Sequence, residues 1–227
     1  MAVVEPTLEV EAELLAARLG AEGRAGLVIG LDEVGRGAIA GPVCVGAAVV
    51  GLDRLDAFPE GLRDSKLLTA KRREALEEPL RAWPVAHARG FAGPEEIEAE
   101  GIGRCLAAAA KRALAGLHEQ GIDIADATIL LDGSHDWLSP SLATPLRVVV
   151  RAKADRDCAS VACAAVLAKL ERDRIMVAAD AEAPMYAWAS NKGYASAVHI
   201  AAIREHGPHL LHRTSWLAGI LAEASAP

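Results

Sequence analysis

Residues 26–52 read GLVIGLDEVGRGAIAGPVCVGAAVVGL. Two apolar runs, 26–32 and 42–52, flank a segment rich in glycine and charge, DEVGRGAIAG. Each run has the length of a strand, and the glycines between them interrupt regular structure. The stretch therefore predicts two antiparallel strands joined as a hairpin. Asp32 and Glu33 follow VIGL directly, so the first strand delivers two carboxylates at its end. Side chains alternate along a strand, so both acids share one side only if the backbone turns. Gly35 and Gly37 permit that turn.

Outward from the hairpin, residues 8–19 form a short amphipathic pattern, and 69–80 (TAKRREALEEPL) predicts a helix with Thr69 as its N-cap. Residues 83–91 suit a third strand. Residues 93–121 carry Pro94, Glu95 and Glu96 at their start and Gly121 at their stop, which marks a long helix. ATILLDG, 127–133, and LRVVVRAK, 146–153, are further strands; 157–176 is a long helix of small residues, and another helix falls at about 196–206. The main elements run β-β-β-α-β-β-α, with helices after. Adjacent strands at the front imply antiparallel pairing, and strands separated by a long helix imply a parallel crossover. The fold class is α/β, a mixed sheet flanked by helices. Alanine supplies 48 of the 227 residues, which biases every helix boundary towards extension.

Hydrophobic residues make up 52% of the chain, enough for a sizeable core without staples. Cys44, Cys105, Cys158 and Cys163 form no Cys-x-x-Cys pair and sit in apolar runs, so they read as reduced core residues. The N-terminus shows no secretory pattern, and no apolar run is long enough to span a membrane. A cytoplasmic protein with no membrane partner is expected. The net charge of −7 does not advertise a nucleic-acid partner. The charge is uneven, however: residues 1–145 hold 14 Lys/Arg against 23 Asp/Glu, whereas 146–216 hold 10 against 7. A local basic rim beside a metal-neutralised acidic site is compatible with a phosphate backbone.

The placement of the acids carries the chemistry. Asp32 and Glu33 end the first strand, Asp132 ends TILL, and Asp155 follows RVVVRAKA just before a helix. In sheets with crossover connections, ligand sites gather at such strand ends. Singly, each acid is equally an ordinary loop or capping residue. Brought together, four carboxylates repel, and they either bind protons or recruit hard cations such as Mg²⁺ or Mn²⁺. Two such ions are suited to phosphodiester hydrolysis. A helix starting near Asp155 would help keep that acid ionised.

The stretch GLDEVGRGAIAGPVCVGAAV, 30–49, closely resembles the N-terminal motif of the bacterial ribonuclease HII family, the type 2 ribonucleases H. DSKLLT (64–69), HARGFAGPEEIE (87–98), LLDG (130–133), KADRDCASVACAAVLAKLERDRIM (153–176), NKGYASAVH (191–199) and HRTSW (212–216) resemble its further motifs, in the family's order. The resemblance implies a ribonuclease H-like mixed sheet with a small helical C-terminal part. It divides the chain into an N-terminal extension (1–25), a catalytic domain (26–217) and a tail (218–227). It implies an endoribonuclease that acts on RNA–DNA hybrids and on duplex DNA carrying a single ribonucleotide, which it cuts on the 5′ side to leave 3′-hydroxyl and 5′-phosphate ends. Mg²⁺ or Mn²⁺ is the implied cofactor, two ions with substrate bound, and a monomer is expected.

By motif, Asp32, Glu33, Asp132 and Asp155 are the implied catalytic metal ligands, the same four acids that the strand ends select. Gly35, Arg36 and Gly37 match the loop that approaches the sugar, where a 2′-hydroxyl both donates and accepts. Tyr194 matches the residue whose ring stacks on the following sugar. Lys66, Lys153, Lys169 and Arg213 are phosphate-contact candidates, with Ser65 and Arg156 beside them. Asp173 reads as a structural brace, and His199, His209 and His212 as packing or surface residues. The sequence departs from the family pattern at Ala154, where glycine is usual, at Cys163, Ala165 and Ser196, and at Trp216, where phenylalanine is usual. The alternatives are a ribonuclease HIII-like or other nuclease of this fold, or an inactive hybrid-binding protein. The four retained acids argue against loss of catalysis.

Overall fold

The computed structural model describes residues 5–224. Five strands, β1 (Leu27–Val34), β2 (Val43–Val50), β3 (Ala86–Ala92), β4 (Ala127–Asp132) and β5 (Arg147–Arg151), form one sheet in the order β3-β2-β1-β4-β5. The front hairpin is antiparallel, with Asp32 opposite Gly46, and β3 extends it antiparallel to β2. β4 runs parallel to β1, and β5 runs parallel to β4. The helices are α1 (Glu9–Glu22), α2 (Ala70–Ala82), α3 (Pro94–Glu100), α4 (Ile102–Glu119), α5 (Ala154–Asp157), α6 (Ala159–Asp180), α7 (Trp188–Asn191), α8 (Ala197–His206) and α9 (Ala218–Ala224). The chain thus has the expected mixed sheet flanked by helices. Residues 225–227 of the expected tail lie outside the described residues.

Both faces of β1 and β2 are covered, which is why these strands read as continuous apolar runs rather than alternating ones. Ile29, Leu31, Val43, Val45, Ala47 and Val49 meet the apolar stripe of α4. The other face meets α6, whose small side chains let it lie very close. A Cβ on Gly46 would fall 2.3 Å from the Ala164 carbonyl oxygen. That close approach puts the start of α6 against the strand end that carries Asp32.

Three local differences from the sequence-based expectation have physical causes. The helix expected over 93–121 breaks in two at Gly101, whose φ of 78° no helix accommodates. The helix expected from 157 starts at Ala159, because Cys158 is extended and separates it from the short α5. Asp155 thus lies in a four-residue turn instead of at the mouth of a long helix. The link from β4 to β5 makes a parallel crossover without a long helix. Residues 133–146 are enough to make the return, anchored in the core by the fully buried Leu138 and the partly buried Trp137. The N-terminal segment docks firmly: Leu15 and Arg18 are buried.

The four cysteines are buried and free, as small core residues should be. Among the described residues no helix is long and apolar enough to cross a membrane.

Candidate active site

Asp32 and Asp132 are brought side by side by the sheet itself. Leu31 pairs with Leu131 in the parallel β1–β4 register, so the next residues, Asp32 and Asp132, stand on neighbouring strands, about 5 Å apart in backbone spacing. Strand alternation points both towards the α6 face, with Val28, Gly30 and Leu130. β1 stays regular to Val34, so Glu33 starts from the opposite face, and the chain turns at Gly35, where the glycines permit it. Asp155 joins from the α5 turn. The Asp132 Oδ1 accepts the Ala154 N–H at 2.6 Å and the Asp155 N–H at 3.3 Å. One carboxylate therefore fixes the backbone that carries the other.

This crowding is visible in the protonation behaviour. Asp32 is buried, and burial first, then the negative charges of Glu33, Asp132 and Asp155, hold its carboxyl well above the usual range. Burial raises Glu33, against the pull of Arg36. Burial and the Asp155 charge raise Asp132, against the two N–H groups that it accepts. Two cations reach the cluster: Lys66 Nζ lies 2.7 Å from Asp155 Oδ2, and Arg36 lies 3.4 Å from Glu33 Oε1. Among the described residues no three His, Cys, Asp or Glu side chains already converge to hold one metal ion. The donor set still suits a hard cation that keeps several waters and takes only one or two carboxylates directly. Its uncompensated negative charge is what such a cation relieves.

Beside the acids, the chain from Gly35 to Pro42 is held from behind by two buried arginines. Arg213 donates to the carbonyls of Gly35 (2.7 Å), Arg36 (2.8 Å) and Gly41 (3.0 Å). Arg172 donates to those of Ala40 (3.0 Å), Pro42 (2.8 Å) and Lys192 (2.8 Å). Gly35 has a φ of 80°, and a Cβ there would strike the Arg172 guanidinium at 2.0 Å. Glycine is obligatory at that point for fold reasons alone. Gly37 is different: its φ is not positive, and a Cβ would meet nothing within 4 Å. Its exposed backbone is free to meet another molecule.

Tyr194 stands 38% exposed, with the Arg172 guanidinium 5.5 Å from its ring centre. Its carbonyl oxygen accepts from His199 Nδ1 at 2.9 Å. His199 is fully buried; its Nε2 faces His212 Nε2 at 2.9 Å and accepts Trp188 Nε1–H at 3.0 Å. The His212 Nδ1 faces the His209 N–H at 2.8 Å and the His209 carbonyl oxygen at 3.2 Å; where it accepts the N–H, His212 Nε2 is the donor to His199 Nε2. Burial lowers His199, and burial with the neighbouring His199 lowers His212 to about 4.

The structure thus gathers Asp32, Glu33, Asp132 and Asp155 with Lys66 and Arg36, with Gly35 and Gly37 directly after Glu33; Tyr194 stands against Arg172, which backs that loop. Lys153, exposed and left-handed (φ 63°), and Arg156, paired with Asp157 at 2.6 Å, lie on the same turn as Asp155. The strained backbone position is therefore Lys153 and not Ala154, so alanine is tolerated where glycine is usual. Ser65 is buried, and its carbonyl accepts from Arg73 at 2.8 Å. Two phosphate candidates stand elsewhere. Lys169 is largely buried in an ion pair with Asp173, which braces it as expected. Arg213 is fully buried, its guanidinium on loop carbonyls and 4.8 Å from the Trp216 ring centre. Arg172 and the His199–His212 pair are site-building residues that sequence reasoning missed as such.

The profile of the family described as Ribonuclease HII matches residues 29–218. Ribonuclease HII of Streptomyces avermitilis is 44% identical over 212 residues, covering 93% of this chain and 84% of that protein. Among solved structures, ribonuclease H2 from Pyrococcus horikoshii superposes with a TM-score of 0.67 at 23% identity, over 88% of this chain and all of that one. Bst-RNase HIII, solved in complex with Mn²⁺, also gives 0.67, at 20% identity over 88% of this chain and 69% of that one. At such identities the structural likeness speaks for the fold. The sequence matches speak for the family.

Proposed function

The chain belongs to the ribonuclease HII family and is a type 2 ribonuclease H, an endoribonuclease that hydrolyses phosphodiester bonds, and from that premise we propose how and on what it acts. It cuts the RNA strand of RNA–DNA hybrids, and it cuts duplex DNA on the 5′ side of a single embedded ribonucleotide to leave 3′-hydroxyl and 5′-phosphate ends. It does so as a cytoplasmic monomer, opening ribonucleotide excision repair. The observation that carries this reading is the register that sets Asp32 beside Asp132, with the Asp155 N–H on the Asp132 carboxylate, next to a loop whose carbonyls are locked from behind.

Asp32, Glu33, Asp132 and Asp155 would hold Mg²⁺ or Mn²⁺, two ions with substrate bound. When bound, these ions supply activation of the attacking water and neutralisation of charge at the leaving oxygen. The rest falls to the protein's own groups. Lys66 steadies Asp155 and presents positive charge to the substrate backbone. Arg36 clamps a phosphate in exchange for its exposed contact with Glu33. The backbone of Gly35–Gly37 reads the 2′-hydroxyl, and Tyr194 packs its exposed ring on the adjoining sugar. Ser65, Lys153 and Arg156 line the approach of the phosphates, while Lys169 stays in its ion pair with Asp173. Such contacts position a duplex without reading bases, so cutting is independent of sequence. Arg213 acts indirectly, by shaping the loop.

The test uses three duplexes: DNA with one ribonucleotide, all DNA, and an RNA–DNA hybrid, each with Mg²⁺, Mn²⁺ or EDTA. The first and third are cut, with 5′-phosphate ends, and EDTA stops the reaction. Cutting of the all-DNA duplex, or cutting that survives EDTA, would overturn the proposal.

A further inference from the structure

The N-terminal segment reaches the backbone that carries Asp155 through four hydrogen bonds. The Thr7 N–H donates to the Asp157 carbonyl at 2.9 Å, and the Ala159 N–H donates to the Thr7 carbonyl at 2.9 Å, so Thr7 pairs with Cys158 like a short strand. In the first turn of α1, Glu11 Oε1 accepts both the Ser160 N–H at 2.8 Å and the Ser160 hydroxyl at 2.7 Å. The same segment is tied to the loop before Lys66, through Arg63 and Glu5 at 2.8 Å, while Lys66 itself holds Asp155. Residues 5–11 therefore bridge the two loops that meet at Asp155.

This arrangement is costly. Glu11 is fully buried, and its second oxygen, Oε2, has no hydrogen-bond partner. A carboxylate in that condition loses hydration that an alanine would not lose. What Glu11 contributes is local. It satisfies an N–H in the first turn of α6 at the junction where Cys158 turns the chain out of α5. Leu15 of α1 packs in the same cluster as Ala154 and Cys158, on the other side of that junction.

Resting on the metal-binding role proposed above for Asp155, we infer that Glu11 and Thr7 are positioning residues that set the Asp155 carboxylate through the 157–160 backbone. The N-terminal segment is then part of the active-site scaffold. Outer partners of metal ligands commonly change metal affinity by about tenfold or more.

The test is made on the full chain, reading Mn²⁺ affinity by calorimetric titration, amide exchange over 155–160, and steady-state cleavage. Glu11→Ala is expected to weaken Mn²⁺ binding about tenfold, to speed exchange at 157–160, and to lower kcat with little change in KM. Glu11→Gln keeps the acceptor oxygen and restores all three. Arg18→Gln removes the anchor at the far end of α1, beside Asp126, and leaves Mn²⁺ affinity unchanged. If Glu11→Ala fails to fold, Thr7→Pro removes the N–H that meets Asp157, together with the hydroxyl that accepts the Glu9 N–H at 3.4 Å, and carries the same expectation.

A Glu11→Ala protein with a lower Tm but wild-type Mn²⁺ affinity overturns the inference, as does an equal loss in Arg18→Gln. Asp155→Asn separates this failure from that of the underlying reading. If the wild type binds no Mn²⁺, or Asp155→Asn binds it equally well, the role of Asp155 falls and the positioning role falls with it.

Discussion

Two regions of this molecule handle buried charge in opposite ways. Where β1 and β4 end, Asp32 and Asp132 stand on adjacent strands with Asp155 beside them, and burial and mutual repulsion raise Asp32 and Asp132 above their ordinary range. In the second half of α6 and the helical part that follows it, the buried groups are cationic or neutral, and they are satisfied. Arg172 and Arg213 place their donors on loop carbonyls, and His199 and His212 share a directed hydrogen bond. The first region is destabilised by its own composition, and the second stabilises the loop that the first one needs. The difference suggests a division of labour: charge left unbalanced where a cation and a substrate must arrive, and complete satisfaction where a geometry must be kept.

The largest expected effect tests the unbalanced side. Asp132→Asn keeps an oxygen for the Ala154 N–H and removes one negative charge. Cleavage should fall by roughly 10³-fold or more, since several kcal/mol of charge stabilisation are lost. Thermal stability should hold or rise, because repulsion with Asp155 is relieved. A single-ribonucleotide cleavage assay and a thermal melt check both signs. A drop in Tm that matched the loss of activity would mean that the acids serve the fold.

The satisfied side should respond with the opposite sign. Arg213→Met leaves the Gly35, Arg36 and Gly41 carbonyls without their donor in a fully buried place, at a cost of about 3 kcal/mol or more. Arg213→Lys should fail to rescue it, because an ammonium cannot span three carbonyls set around a planar fork. Urea titration reads the loss. If both variants kept wild-type stability, the arginine would be free for the direct phosphate contact that the sequence suggests.

How far each region was legible in the sequence follows from what its partners are. The hairpin of β1 and β2 and the acids at the strand ends could be read because apolar runs and terminal carboxylates are residue patterns. The resemblance selected the same four acids. The parallel return to β5 could not be read, since no long helix lies between β4 and β5 to signal it. The break at Gly101 and the start of α6 at Ala159 were hidden by an alanine-rich background that favours helix everywhere. Arg172, Arg213 and the His199–His212 pair escaped because their partners are mostly backbone carbonyls and amides, which leave no mark in the residue types. Arg213 therefore looked like a free cation, and His212 like packing.

Acid sharpens the contrast, because the two regions should push stability in opposite directions with pH. His212 has an ordinary value of 6.5 and is held near 4 in the folded chain. The unfolded chain binds its proton first as pH falls, so stability is lost between about 6.5 and about 4 and is full above that window, a contribution of roughly 3 kcal/mol at most. Asp32 behaves in reverse. Its folded carboxyl keeps a proton that the unfolded chain has released, so its contribution favours the fold at low pH and is lost as pH rises through the folded value. Urea midpoints from pH 7 to 4.5 in EDTA should fall in the wild type. His212→Gln should flatten that fall, and Asp32→Asn should steepen it. An unchanged slope in His212→Gln would show that the imidazole pair is charged in the native state.

The smallest effect divides the loop that joins the two regions. Gly35 and Gly37 look equivalent in the sequence, yet only Gly35 is required by the fold, through its positive φ and its contact with Arg172. Gly37→Ala should leave the urea midpoint at its wild-type value, because the new methyl meets nothing within 4 Å. It should still lower cleavage of the single-ribonucleotide duplex by up to about 10²-fold, since a displacement near 1 Å at the reacting group is enough for that. The loss should appear in kcat/KM, with Mn²⁺ affinity intact, which separates it from a defect in the acids. Wild-type cleavage by Gly37→Ala would mean that the open backbone there touches no substrate, and that the reading of the sugar rests on Gly35, Arg36 and Tyr194.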